Sequence, residues 1–220
     1  MELRTWPLYG LRVTTPRLEL RLPDLNQLDE LAAVAAEGVH DPAVMPFTTS
    51  WSDAVPEARA RATFQHLLGT VAEWKPDRWT LSLVVLYEGA VVGRQDLSAE
   101  DFAITREATS GSWLGLAHQG RGIGTEMRAA LAHLAFEGLG ADAITSAAML
   151  DNTRSLGVSR RLGYRSDGLL TAAVRGRSQT LRRLRLDRDS WREHREVPVR
   201  LEGLEACLPC SASSAHGRTD

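Results

Sequence analysis

Apolar side chains along this chain repeat with two periods, and the switches between them outline the elements. The segment Leu11-Arg12-Val13-Thr14-Thr15-Pro16-Arg17-Leu18-Glu19-Leu20-Arg21 alternates apolar and polar residues towards its end, as a strand does. Asp24 with Gln27 three residues on is a capping-box pattern. It predicts a helix whose buried stripe is Leu28, Leu31, Ala32 and Ala35. A loop rich in Pro, Ser and Thr runs over about 41–54. Pro56 then stands as a first-turn helical proline. Behind it Phe64, Leu67, Leu68, Val71 and Trp74 fall on one helical face. Three strands follow, over 80–87, 91–97 and about 107–116, with Glu88-Gly89 as the tight turn between the first two.

The second half continues the alternation of helix and strand. A helix from 124 to about 138 has the stripe Met127, Ala130, Leu131, Leu134 and Ala135. A short strand over 143–148 leads to Asn152, a good N-cap for a helix ending near Leu162, and Gly163 supplies its left-handed C-terminal residue. Two last strands, about 164–172 and 180–187, complete a mixed α/β sheet flanked by helices. No internal repeat or interior linker divides the chain. The expectation is one domain over about 8–195, with a poorly ordered tail over 196–220.

Composition narrows the function classes. With 43% hydrophobic and 25% charged residues, the chain reads as a soluble globular protein. The formal net charge is -2, so no global basic field recruits nucleic acid or an acidic membrane. Basic residues do gather late, at Arg175, Arg177, Arg182, Arg183, Arg185 and Arg188, which reads as a solvated strand face. No apolar run approaches the ~20 residues that span a bilayer. Met1-Glu2-Leu3-Arg4-Thr5-Trp6 lacks the apolar core of a secretion signal. A cytoplasmic protein is expected. Cys207-Leu208-Pro209-Cys210, with His216 nearby, has the spacing of a redox or half-zinc motif. Zinc normally takes four ligands and a redox pair belongs at a strand-helix junction, so these cysteines read as incidental and no metal is expected.

The informative segment is Trp113-Leu114-Gly115-Leu116-Ala117-His118-Gln119-Gly120-Arg121-Gly122-Ile123-Gly124-Thr125. Glycines at alternate positions let a backbone fold tightly and bring its N–H groups against a ligand. Here they open a helix, whose free N–H groups and positive dipole end favour phosphate or pyrophosphate. A Walker loop would need a Lys that is missing before Thr125. A dinucleotide fingerprint would need GxGxxG early in a βαβ unit, where this chain has GxGxG after a run of strands. Gln119-Gly120-Arg121-Gly122-Ile123-Gly124 instead matches the acyl-CoA loop Gln/Arg-x-x-Gly-x-Gly/Ala at every fixed position.

With these residues in place, the chain resembles the GNAT acyltransferase superfamily, in particular the branch holding the ribosomal-protein N-terminal acetyltransferases. The likeness runs from Thr15-Pro16-Arg17-Leu18 through the glycine loop to Asp151-Asn152-Thr153-Arg154-Ser155 and Leu162-Gly163-Tyr164. It ends near Arg185-Leu186-Asp187 with Trp191. Gly111-Ser112-Trp113-Leu114-Gly115 and Thr125-Glu126-Met127-Arg128-Ala129-Ala130 are also similar to actinobacterial-type relatives, some of which use succinyl-CoA. The resemblance implies a sheet whose two central strands splay to admit the pantetheine arm. Leu114 and Leu116 would pair with its amides through their backbones. The pyrophosphate would lie on N–H groups of Gln119, Gly120, Arg121, Gly122, Ile123, Gly124 and Thr125, with Arg160 or Arg161 reaching the nucleotide phosphates. Asn152 would contact cofactor and substrate. A homodimer is a family expectation.

Direct transfer from acetyl-CoA or succinyl-CoA to an amine needs a deprotonated amine, a stabilised oxyanion and a protonated thiolate. Ser155, on the first helical turn after Asn152, is the candidate to serve the leaving sulfur. Relatives often carry a carboxylate on the strand before the glycine loop, where this chain has Thr109. Glu107 is the substitute base, with Asp96, Asp101, His40 and His118 as rivals and water as a further carrier. His118 itself reads as a solvated linker residue. A succinyl carboxylate would want a basic partner such as His66, Arg94 or the late arginines. Met45, Phe47 and Trp51 line an acceptor pocket or plug the core edge. The acceptor is a protein N-terminus, a lysine or a small amine. A module that binds acyl-CoA without turnover is the competing function.

Overall fold

The computed structural model describes residues 3–208. Arg12–Thr14 (β1) and Leu18–Arg21 (β2) form a hairpin with Val13 opposite Leu20. The alternation predicts one opening strand. It is two because Pro16, which has no N–H to give a ladder, sits in a turn closed by the Thr15 N–H on the Leu18 carbonyl at 2.9 Å. Leu25–Glu37 (α1) starts on a complete capping box between Asp24 and Gln27. Pro56–Ala72 (α2) starts on its first-turn proline. Arg78–Tyr87 (β3), Ala90–Glu100 (β4) and Glu107–Leu114 (β5) make an antiparallel meander, with the single turn Phe102–Thr105 (α3) before the third strand. Ile123–His133 (α4) runs through a π-helical turn, Leu134–Gly138, towards Ala143–Met149 (β6). Thr153–Arg161 (α5), Arg165–Val174 (β7), Arg177–Asp187 (β8), Arg188–His194 (α6) and Arg200–Glu202 (β9) complete the chain.

All nine strands join one sheet, in the order β7-β8-β6-β5-β4-β3-β2-β1-β9. Every neighbouring pair is antiparallel except β5 with β6. That parallel ladder holds only from Glu107 opposite Ala143 to Thr109 opposite Thr145. Past it, β5 continues to Leu114 and β6 to Met149 without pairing, so the sheet opens into a wedge. Each flank of the wedge is held by its other neighbour. β6 stays bonded to β8 out to Met149 opposite Leu181. β5 stays on β4, drawn in at Gly93, where a Cβ would clash with the Trp113 carbonyl oxygen.

The sheet has a helix layer on each face. Ile123, Met127, Ala130, Leu131 and Leu134 of α4 and its π turn pack with Leu114, Ile144, Leu184 and Leu186 on the back face. On the front face Leu28, Leu31 and Ala35 of α1 and Leu67 of α2 pack over Val84, Leu86, Val91 and Trp113. Of the stripe predicted for α2, Phe64, Val71 and Trp74 are half-buried. Leu67 is sealed but Leu68 is 41% exposed, since α2 lies at the outer edge of this layer.

The ordered fold reaches past the predicted boundary at 195. β9 pairs with β1, and Leu201 and Leu204 close on Gly138 so tightly that a Cβ there would meet both at 3.1 Å. Cys207 is buried in the back-face core, its Sγ 3.1 Å from the Gly203 carbonyl. Cys210 and His216 lie outside the described residues. Among the described residues, no helix is long and apolar enough to cross a membrane.

Replacing Gly93 by Ala forces a methyl against the Trp113 carbonyl. Overpacking of this kind is expected to cost roughly 1–3 kcal/mol. Urea unfolding checks it, and an unchanged midpoint would mean that β4 and β5 part there without cost.

Candidate active site

The glycine loop is fixed from both ends. The Gly115 N–H bonds the Val92 carbonyl at 3.0 Å, and the Leu116 N–H bonds the Gly38 carbonyl at 2.9 Å. The Gln119 side-chain amide donates to the carbonyls of Val39 at 2.8 Å and Leu114 at 3.0 Å. At the far end Glu126, buried in the first turn of α4, accepts from Thr15 Oγ1 at 2.6 Å and from Arg17 Nε at 2.7 Å. A second Arg17 nitrogen lies 2.6 Å from Glu126, and Arg17 also bonds the Arg121 carbonyl. Gly120 and Gly122 take φ of +76° and +80°, open to glycine and strained for other residues. Among the described residues, the N–H groups of Gly120, Arg121, Gly122, Ile123 and Gly124 make no bond. Gly120, Arg121 and Gly122 are exposed and Ile123 and Gly124 open the helix, and unbonded donors in such a row, a cradle of N–H groups, suit an anion. Gln119 and Thr125, expected in the same row, use their N–H groups on Leu116 and Gly122. The Arg121 guanidinium lies over the Tyr87 ring at 5.0 Å.

Beside the cradle lies the open wedge. Its apex is closed by Thr109 and Thr145, whose hydroxyls are 2.8 Å apart. On the back face Ser146 Oγ donates to the Ser110 carbonyl at 3.2 Å, and Ser110 Oγ is 3.4 Å from the Tyr164 hydroxyl. Asn152 caps α5 by accepting the Ser155 N–H at 3.1 Å. Among the described residues, its amide nitrogen and the half-buried Ser155 hydroxyl have no hydrogen-bond partner. The Asn152 amide nitrogen and the Ser155 hydroxyl therefore sit together at the N-terminal turn of α5. Arg128 of α4 lies between that turn and Tyr164, 3.5 Å from the Ser155 carbonyl and 5.0 Å from the ring centre.

On the front face Gly111 leaves a gap at the wedge. Asp96 borders it, with Oδ2 3.9 Å from where a Gly111 Cβ would stand. Ser82 donates to Asp96 at 2.6 Å and Arg94 pairs with it at 2.8 Å. His66 stands near this pair, and its pKa is lowered by partial desolvation and then by the Arg94 charge. A ring cluster forms the wall, Phe47 to Trp51 at 5.3 Å and Trp51 to Trp113 at 5.6 Å. Met45 packs instead with Met149, Val174 and Leu181. The 41–54 loop is clasped to the tip of the β7-β8 hairpin, where Arg175 bonds Asp53 at 2.5 and 2.8 Å and the Pro42 carbonyl at 3.2 Å. That hydrogen bond holds the Asp53 pKa below the ordinary carboxylate value.

Several expectations change here. Glu107 sits at the joined end of the β5-β6 ladder, about 13 Å along the strand from Gly111. Arg185 bonds it at 2.5 Å, and that hydrogen bond lowers its pKa. Asp101 caps α3 at the far end of β4. His40 bonds Ser52 and the Asp41 carbonyl. His118 is half-buried rather than a solvated linker, its ring against Gly115. Leu116 has both backbone groups engaged, and the Leu114 carbonyl takes Gln119. Arg160 is exposed, and Arg161 borders a groove with Thr125, Ala129, Trp191 and His194. The late arginines are not simply solvated. Arg183 pairs with Asp167, and Arg188 bonds the carbonyls of Phe136 and Ala141.

A family model described as an acetyltransferase (GNAT) domain matches residues 17–165. Among solved structures, RimJ of Mycobacterium smegmatis in complex with CoA-disulfide superposes with a TM-score of 0.68 at 18% identity, over 92% of this chain and 95% of that one. RimL, a ribosomal L7/L12 α-N-protein acetyltransferase in complex with coenzyme A, gives 0.62 at 19%, over 80% and 97%. The microcin C7 self-immunity acetyltransferase MccE, in complex with acetyl-CoA and AMP, gives 0.59 at 19%, over 78% and 93%. At such identities the likeness is one of fold.

The clasp has a test of its own. Arg175→Ala is expected to speed amide exchange across 41–54 while β4 and β5 keep their protection. In the parent protein the depressed Asp53 pKa keeps the clasp formed above about pH 4 and opens it as pH falls through that pKa. Exchange in the loop that ignores Arg175 would show that other contacts hold it.

Proposed function

The chain belongs to the GNAT acetyltransferase family, and from that premise we propose that it is an acyl-CoA-dependent N-acyltransferase. It moves an acetyl group, or a succinyl group, directly from CoA to an amine of a protein or small molecule. The observation that carries this reading is the row of unbonded N–H groups from Gly120 to Gly124, set beside the mouth of the wedge. A diphosphate suits such a row. A slim arm carrying amides suits a slot between two strands whose ladder stops early.

Gly120, Arg121, Gly122, Ile123 and Gly124 hold the diphosphate through their backbones. Gln119 fixes the loop through its side chain, and Thr125 and Arg161 flank the nucleotide end. Asn152 orients the thioester end with its free amide. Ser155 donates its hydroxyl proton, directly or through a water, to the sulfur as the C–S bond breaks. The amine proton leaves to solvent, because the carboxylates near the wedge are already bonded to arginines. An α-amine with a pKa near 8 is partly neutral at physiological pH. The acceptor enters on the front face, between the aromatic wall and the clasp. The reading places the protein in the cytoplasm, where acyl-CoA is made.

Calorimetry with CoA and thiol release over an amine panel test the proposal. Submicromolar to micromolar CoA binding with amine-dependent turnover is expected. CoA binding without turnover would leave a sensor module, and no CoA binding would refute the reading. Ser155→Ala should lower kcat by roughly a hundredfold or more, with acetyl-CoA affinity little changed. The rate should rise with pH towards the acceptor amine pKa. Glu107→Gln should leave that profile in place, and loss of the acidic limb would restore Glu107 as base.

A further inference from the structure

Three charged side chains among the described residues are about nine-tenths buried or more: Asp96 at 9% exposure, Glu126 at 7% and Arg128 at 7%. Two have counter-charges, Arg94 at 2.8 Å and Arg17 at 2.6 Å. Arg128 has none within ion-pair distance. Its Nη1 meets the Ser155 carbonyl at a marginal 3.5 Å, its plane meets the Tyr164 ring, and Nη2 is buried with no acceptor. A guanidinium taken out of water is costly unless paired and hydrogen-bonded. A ring face and one long bond offset only part of that. An anion beside Nη2 would complete its pairing.

We propose that Arg128 receives the far carboxylate of a short dicarboxylic acyl group, making the preferred donor an acyl-CoA of the succinyl type. This rests on the acyl-CoA reading above and deepens it. The diphosphate is the wrong anion for Arg128, because the cradle is on the exposed loop while the guanidinium is enclosed behind the first turn of α5 and Tyr164. What reaches that depth is the acyl end of the ligand. Tyr164 connects Arg128 to Ser110 at 3.4 Å, where β5 and β6 part. Ser110, Ser146, Ser155 and Tyr164 give this end of the wedge a lining of hydroxyls. A methyl group would prefer apolar neighbours, whereas a carboxylate uses hydroxyls and a guanidinium together.

The test compares calorimetric Kd values for CoA, acetyl-CoA, butyryl-CoA and succinyl-CoA. Butyryl-CoA matches the succinyl chain in carbon number without its charge. The parent protein should bind succinyl-CoA roughly ten- to a hundredfold more tightly than butyryl-CoA, the scale of a charge-assisted pair. Arg128→Met should abolish that margin, and Arg128→Lys should keep part of it. Equal affinities in the parent protein would overturn the proposal even if the variants fail to fold. So would an Arg128→Met variant that weakens all four ligands alike and preserves the margin, which marks a general cofactor contact. Failure to bind any of the four refutes the acyl-CoA reading itself, whereas CoA binding without the margin refutes only the donor assignment.

Discussion

The three-residue ladder between β5 and β6 is the constraint on which the rest of this structure depends. A parallel pair that continued to Leu114 and Met149 would bond its backbone groups to one another and leave a closed sheet. Instead β6 follows β8 and β5 follows β4, so the strands diverge while each keeps one full ladder. The cost of opening is confined to the inner edges, which then offer backbone groups to a ligand. The tight contact at Gly93 matters for this reason, far though it is in sequence from the loop it serves.

Opening the sheet also sets the electrostatics. The connection from β5 to β6 passes through α4, so the positive end of that helix arrives at the mouth of the wedge. A carboxylate in its first turn would oppose a bound anion, and Glu126 is there. Arg17 neutralises it and at the same time ties the turn after β1 to the loop through the Arg121 carbonyl. The cradle is thus left with its N–H donors and little local negative charge. Arg128, in the second turn, is the one deeply buried charge among the described residues with no counter-charge within ion-pair distance.

Much of the candidate site was legible because its signals are local. The alternate glycines, the Asn152 cap and the left-handed Gly163 each act within a few residues, and the two helices beside them formed close to their expected spans. What escaped are pairings between distant parts of the chain. Glu107 reads as a spare carboxylate until Arg185, 78 residues on, is seen to hold it. Gln119 matches a ligand-binding motif, yet its side chain bonds Val39, 80 residues back. The clasp of Arg175 on Asp53 and the return of β9 to β1 have the same origin. A buried arginine lacking a partner is likewise invisible in a string of letters, where Arg128 is one of several arginines on helices.

The central claim is that the unbonded N–H row at the head of α4 and the wedge beside it form one acyl-CoA site. The most direct measurement is an amide NMR titration with CoA. The account predicts that the amides of Gly120, Gly122 and Gly124 shift together with those of Ser110 to Leu114 and Ser155, and slow in exchange, at one common Kd. Shifts confined to other surfaces, or a loop and wedge that respond at different concentrations, would contradict it.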